Sequence, residues 1–85
     1  MLTLFDVNRL VRESLAARCF DYDVEVYDGA PIATGKTIVL LIGDARAWAR
    51  EGQSVLASLR RDETRWRPMG VCVEYRFMAV DAMAA

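Results

Sequence analysis

Histidine is absent from the 85 residues, and lysine occurs once, at Lys36. The first absence removes imidazole general bases, Ser-His and Cys-His nucleophile pairs, and histidine metal ligands. The one lysine sits beside a turn. No catalytic residue is assigned, and the chain is read as a non-enzyme. Cysteine is sparse too. Cys19 and Cys72 are too far apart in sequence for a zinc-knuckle signature. They are expected to be free thiols, buried as small hydrophobes, in a chain from a reducing cytoplasm. Long apolar runs are missing: the longest aliphatic stretch, Ile38-Val-Leu-Leu-Ile42, is far too short to span a bilayer. The start of the chain lacks a basic n-region, and Asp6 and Arg9 interrupt any secretory h-region. No internal repeat and no low-complexity linker occur.

What is present fits one domain, placed at 1–80 with a frayed tail at 81–85. The apolar fraction is 54% and mean hydropathy is +0.12, enough for one core and too much for disorder. Some of that apolar surface suits an oligomer or partner interface. The plainer account is the alanine content, twelve residues, which adds little core. Net charge is -1, so the whole chain offers no footprint for nucleic acid or a membrane surface. The charge is unevenly placed. Residues 1–30 hold three arginines against six acids, and residues 46–67 hold six arginines against three acids. An acidic end and a basic end suit head-to-tail association.

Val7, Leu10, Val11, Leu15 and Cys19 make one apolar stripe, which predicts a helix over Leu4–Cys19 capped by Thr3 or Asp6. Tyr22, Val24 and Val26 alternate with Asp23, Glu25 and Tyr27, which predicts a half-buried strand. Asp28-Gly29 and Pro31 predict a turn. Thr37–Ile42 reads as a central strand covered on both faces. Residues 44–63 admit two readings. Asp44 and Ser54 cap two helices separated at Gly52, or the Ala45/Ala47/Ala49 alternation extends the strand into a hairpin at Glu51-Gly52. An extended or turn segment at 44–52 and a short helix at 54–61 is the expectation. The last strand, 71–80, puts Val71, Val73, Tyr75 and Phe77 on one face, with Glu74 and Arg76 on the other. The fold class is α+β: an N-terminal helix on a small, mostly antiparallel three- or four-stranded sheet, with a short second helix.

Ala30-Pro-Ile-Ala-Thr-Gly-Lys-Thr37 loosely matches a phosphate-binding loop. Such a loop opens a helix, whereas a strand follows here, and Pro31 removes an N–H donor. It is read as a hairpin turn, with no cofactor. Asp21, Asp23 and Glu25 share one strand face, which three-carboxylate cation binding would use. The calcium-loop pattern fails at Val26 and Ile32, so no metal is assigned. The acids are read as a solvated face or as partners for arginines. Arg60-Arg61 and Arg65-Trp66-Arg67 are the densest basic stretch. Arginine with an interleaved aromatic suits single-stranded nucleic acid or a protein hot spot. The plain reading has its charges in water and Trp66 on the core. The candidate interface residues are Asp21, Asp23 and Glu25 together with Trp48, Arg60, Arg61, Arg65, Trp66 and Arg67.

The layout resembles the tail-terminator and tail-completion proteins of long-tailed bacteriophages. The residues that carry it are the helix Val7-Asn-Arg-Leu-Val-Arg-Glu-Ser-Leu15 and the strand and turn Val26-Tyr-Asp-Gly-Ala-Pro31. They continue through Thr37-Ile-Val-Leu-Leu-Ile42, Ser54-Val-Leu-Ala-Ser-Leu59 and Val71-Cys-Val-Glu-Tyr-Arg-Phe77. Members usually run well over a hundred residues and have a longer central β region, most of which this chain lacks. The resemblance implies a virion or prophage assembly protein without a catalytic step. Such proteins form rings on a tail tube and meet head-connector proteins. The implied partners are copies of itself and other assembly proteins, with no membrane and no small-molecule substrate, in a host cytoplasm or a virion. The rival readings are a small monomeric protein-binding or regulatory module and, behind it, a nucleic-acid binder through residues 60–67.

Overall fold

Thr3 starts the first helix, α1 (Leu4–Ala17): its hydroxyl accepts the Asp6 N–H, and the Asp6 carboxylate accepts the Thr3 N–H. This reciprocal capping box satisfies two amides that the first helical turn leaves free. The computed structural model describes residues 2–28, 36–67 and 72–80. The predicted turn at 29–31, most of the phosphate-loop-like segment, Val71 and the tail 81–85 lie outside the described residues. After α1 come β1 (Asp23–Asp28), β2 (Lys36–Gly43), α2 (Ala45–Asp62), a 3-10 turn at Glu63–Arg65 and β3 (Cys72–Ala79).

The strands form one three-stranded sheet in the order β1-β2-β3. The α+β class is as expected, but the sheet is mixed rather than mostly antiparallel. β1 and β2 are antiparallel, whereas β2 and β3 run parallel. The cause is α2. It is not a turn followed by a short helix but one helix of 18 residues from Ala45. At 1.5 Å per residue it is about 27 Å long. That matches an eight-residue strand, so it carries the chain back to the end from which β2 started. The expectation of extended structure over 44–52 fails because Asp44 caps the Arg46 and Ala47 amides and the alanines favour helix. Gly52 does not end the helix. A Cβ there would meet the Trp48 ring at 3.0 Å, so the position is bare because that indole lies across it.

Both helices feed one core. Val7, Val11 and Leu15 of α1 and Val55 and Leu59 of α2 pack with Val24, Val39 and Leu41 of the sheet. On the opposite face, Ile38 and Ile42 are also buried, flanked in register by Tyr27 and Glu74 and by Asp23 and Met78. Beneath α1, the buried Ser14 hydroxyl donates to Asp62 at 2.7 Å, and Arg18 pairs with the same carboxylate at 2.8 Å. The two cysteines are exposed, not buried. Cys19 has turned out of the helix at φ 59°, and Cys72 lies on the sheet face away from the helices.

Four aspartates are held below the usual carboxylate range by partners that folding brings to them. Asp6 is lowered by the Thr3 amide and hydroxyl, and Asp23 by the Val24 amide and then Arg12. Asp44 is lowered by the Ala47 and Arg46 amides, and Asp62 by Arg18 and then Ser14. A carboxylate with a depressed folded-state pKa stabilises the fold fully above its unfolded pKa of about 4, and the gain is lost as pH falls through the folded value. The melting temperature is expected to fall progressively below about pH 4. A melting temperature unchanged down to about pH 2 would contradict this assignment.

Candidate interaction surface

The expected interface residues do not converge. Asp21, Asp23 and Glu25 are exposed along the start of β1, and Asp23 is held by Arg12 at 2.6 Å. Arg60 and Arg61 are exposed in the last turn of α2. Arg65 reaches Glu13 at 3.5 Å and Arg67 reaches Glu63 at 3.2 Å. Among the described residues, no ion pair joins the acidic and basic sets within the chain. Trp66 is fully buried, so it is a core residue and not a contact residue. Its Nε1–H donates to the Tyr75 hydroxyl at 3.2 Å, and that hydroxyl donates to Glu63 at 2.9 Å. Burial, reinforced by Glu63, pushes the Tyr75 phenol well above its ordinary pKa. Trp48 is half-buried and stacks on Phe77, with ring centroids 4.4 Å apart; Tyr22 meets both rings edge-on.

The residues that the sequence reading passed over lie on the sheet edges. At the outer edge of β1, Val24 points its backbone groups away from β2. Its carbonyl accepts from Asn8 at 2.9 Å and from Arg12 at 2.8 Å, and its N–H donates to the Asp23 carboxylate. Arg12 reaches round the edge from α1 to Asp23, on the other sheet face. Side chains thus blunt this edge at Val24, one of the ways in which proteins prevent strand addition.

The direction of Val24 sets the direction of every other backbone group in the sheet, because hydrogen-bonding direction alternates along a strand. Asp23, Glu25 and Tyr27 bond to Ile42, Leu40 and Ile38, so Thr37, Val39 and Leu41 face β3. In a parallel ladder, Val39 bonds to the neighbours of its register partner Tyr75, namely Glu74 and Arg76. Val73, Tyr75, Phe77 and Ala79 therefore turn their N–H and C=O groups to the outer edge. Among the described residues, no hydrogen bond occupies them.

No protein-family profile, curated protein or solved structure matches this chain. The β3 edge is eight residues long and carries no proline. On its helix-facing side Val73, Tyr75 and Phe77 are half-buried. On its other side, Lys36, Glu74 and Arg76 form a chain of charges: Lys36 meets Glu74 at 2.7 Å, and Arg76 hydrogen-bonds the same carboxylate. These partners hold the Glu74 carboxyl below its ordinary range. Among the described residues, no group of three or more acids and cysteines is arranged to hold a metal ion. No described helix is long and apolar enough to cross a membrane. What the arrangement offers is backbone donors and acceptors flanked by apolar and paired charged side chains, the chemistry of strand addition.

Proposed function

We propose that this protein is a non-enzymatic assembly component that acts through protein–protein contacts, of the kind found in phage tail-terminator or neck proteins. The observation that carries the reading is the contrast between the two sheet edges. One is blocked at Val24 by Asn8, Arg12 and Asp23, and on the other, among the described residues, no hydrogen bond occupies the outward backbone groups of β3. A protein that only had to stay monomeric would gain from blunting both. The order helix, two strands, helix, strand supports the phage-tail layout at the level of architecture. The work would be done in a host cytoplasm or in the assembled virion.

The absolute mass in solution, from size exclusion with light scattering over a range of concentration and salt, tests this reading. A discrete oligomer of the 9.6 kDa chain is the expected result. A strict monomer at every concentration would contradict it and favour a monomeric binding module that takes its strand from another protein.

A further inference from the structure

The outward edge of β3, unoccupied among the described residues, carries a charge pattern that is complementary to itself. Glu74 and Arg76 sit two residues apart on one face, on either side of Tyr75. We propose that two copies of this chain pair through β3, antiparallel about a two-fold axis at Tyr75, so that their sheets become one. This deepens the assembly reading and rests on it, by naming the partner as a second copy and the contact as this edge.

Backbone direction restricts the register. Outward groups must meet outward groups, so Val73, Tyr75 and Phe77 of one copy can bond only to the same set in the other. Centring the pair on Tyr75 makes Tyr75 exchange bonds with its own symmetry mate, and Val73 with Phe77. Glu74 then faces Arg76 of the second copy, twice by symmetry, at the closely spaced positions where side chains approach best. Centring on Arg76 would set arginine against arginine, and centring on Glu74 would set glutamate against glutamate. Like charges directly opposite each other are destabilising, so the Tyr75 register is selected. Opposed residues lie on the same face, so the half-buried Val73 and Phe77 cover each other beside the helices. The β1 edge is the poorer competitor, because Asn8 and Arg12 occupy its Val24 carbonyl and Arg12 reaches across it to Asp23.

The test uses two single charge reversals, Glu74→Arg and Arg76→Glu, measured alone and mixed. Each alone places two like-charge pairs across the two-fold axis and is expected to raise the dimer dissociation constant about tenfold or more. An equimolar mixture restores both opposite-charge pairs, so native mass spectrometry with one variant isotopically labelled should show the mixed dimer. The double variant E74R/R76E should likewise dimerise. Val73→Pro removes an outward N–H that β2 does not use, and it should abolish pairing while circular dichroism shows the fold intact. A wild-type oligomer equally strong in both single variants would overturn the β3 contact and leave the assembly reading standing. A wild-type monomer at every concentration would overturn both.

Discussion

Trp66→Ala is expected to remove a large share of the fold's stability at 25 °C. Trp66 is the largest fully buried side chain and belongs to the same core cluster as Val11, Leu15 and Leu59. Truncating a buried tryptophan costs about 3–5 kcal/mol, through lost transfer free energy and the cavity left behind. A natural domain is stable by only about 5–15 kcal/mol, and one of 85 residues buries a smaller share of its surface than a larger one does. The change also leaves the Tyr75 hydroxyl without the indole donor that now meets it at 3.2 Å. Trp66→Phe keeps one ring of the packing but loses that bond and the contacts of the second ring, so it should cost less than the alanine change, about 1–3 kcal/mol. Urea unfolding followed by circular dichroism separates the two variants. A Trp66→Ala midpoint equal to that of the wild type would show that this residue does not anchor the 3-10 turn to the sheet.

Gly43→Ala is the second large effect. Gly43 ends β2, and a Cβ there would stand 2.4 Å from Tyr22 Cδ1 and 2.9 Å from Cε1. Real Cβ atoms do not approach so closely, so the ring must move. That ring is edge-packed on Trp48 and Phe77, and its hydroxyl donates to Glu51 at 2.8 Å. Its burial and the nearby Glu51 carboxylate push the phenol up to about 12. Forcing extra volume into such a site costs about 1–3 kcal/mol. The cause is checked by a double-mutant cycle in a Tyr22→Ala background. There the added methyl should cost far less, because its obstacle is gone. An undiminished cost would place the strain in the backbone of β2 rather than at Tyr22.

The two outer strands and the first helix were legible because their patterns match a single period. The Val7, Val11, Leu15 stripe and the Tyr22, Val24 alternation each admit one structure, and these residues are buried as expected. The second helix was misread because Ala45, Ala47 and Ala49 alternate with larger residues by coincidence. Over the longer window, Trp48, Gly52, Val55 and Leu59 repeat at the helical period and face the core. A glycine between them looked like a stop, although its role is to let an indole lie flat across it. The expectation of a mostly antiparallel sheet follows from that same error, since only a long helix returns the chain to the starting end of the sheet and lets β3 pair in parallel.

The candidate site was harder to find in the sequence. Glu74 and Arg76 were placed on one face correctly, but nothing local says whether a strand is central or at an edge. Arg12 looked like one more solvated charge on α1, yet it closes an edge from twelve residues away. The arginine-rich stretch around Trp66 drew attention because charge and aromaticity stand together in sequence. In space, Trp66 turns inward and Arg65 and Arg67 turn to acids of the same chain. The two-fold contact closes at two subunits. A ring would need a second, heterologous surface to link such pairs. In the proposed assembly the acidic residues 21–28 and the basic residues 46–67 would supply that surface, and an Arg65→Glu, Arg67→Glu variant should then weaken higher association without splitting the β3 pair.

Amide hydrogen exchange along β3, read residue by residue at low and high protein concentration, tests the central claim most directly. The amides of Glu74 and Arg76 face β2 and should be protected at both concentrations. Those of Val73, Tyr75 and Phe77 face outward and should exchange fast when dilute, then become protected as copies pair. Outward amides that exchange freely at every concentration, in a sample that nonetheless self-associates, would contradict edge pairing.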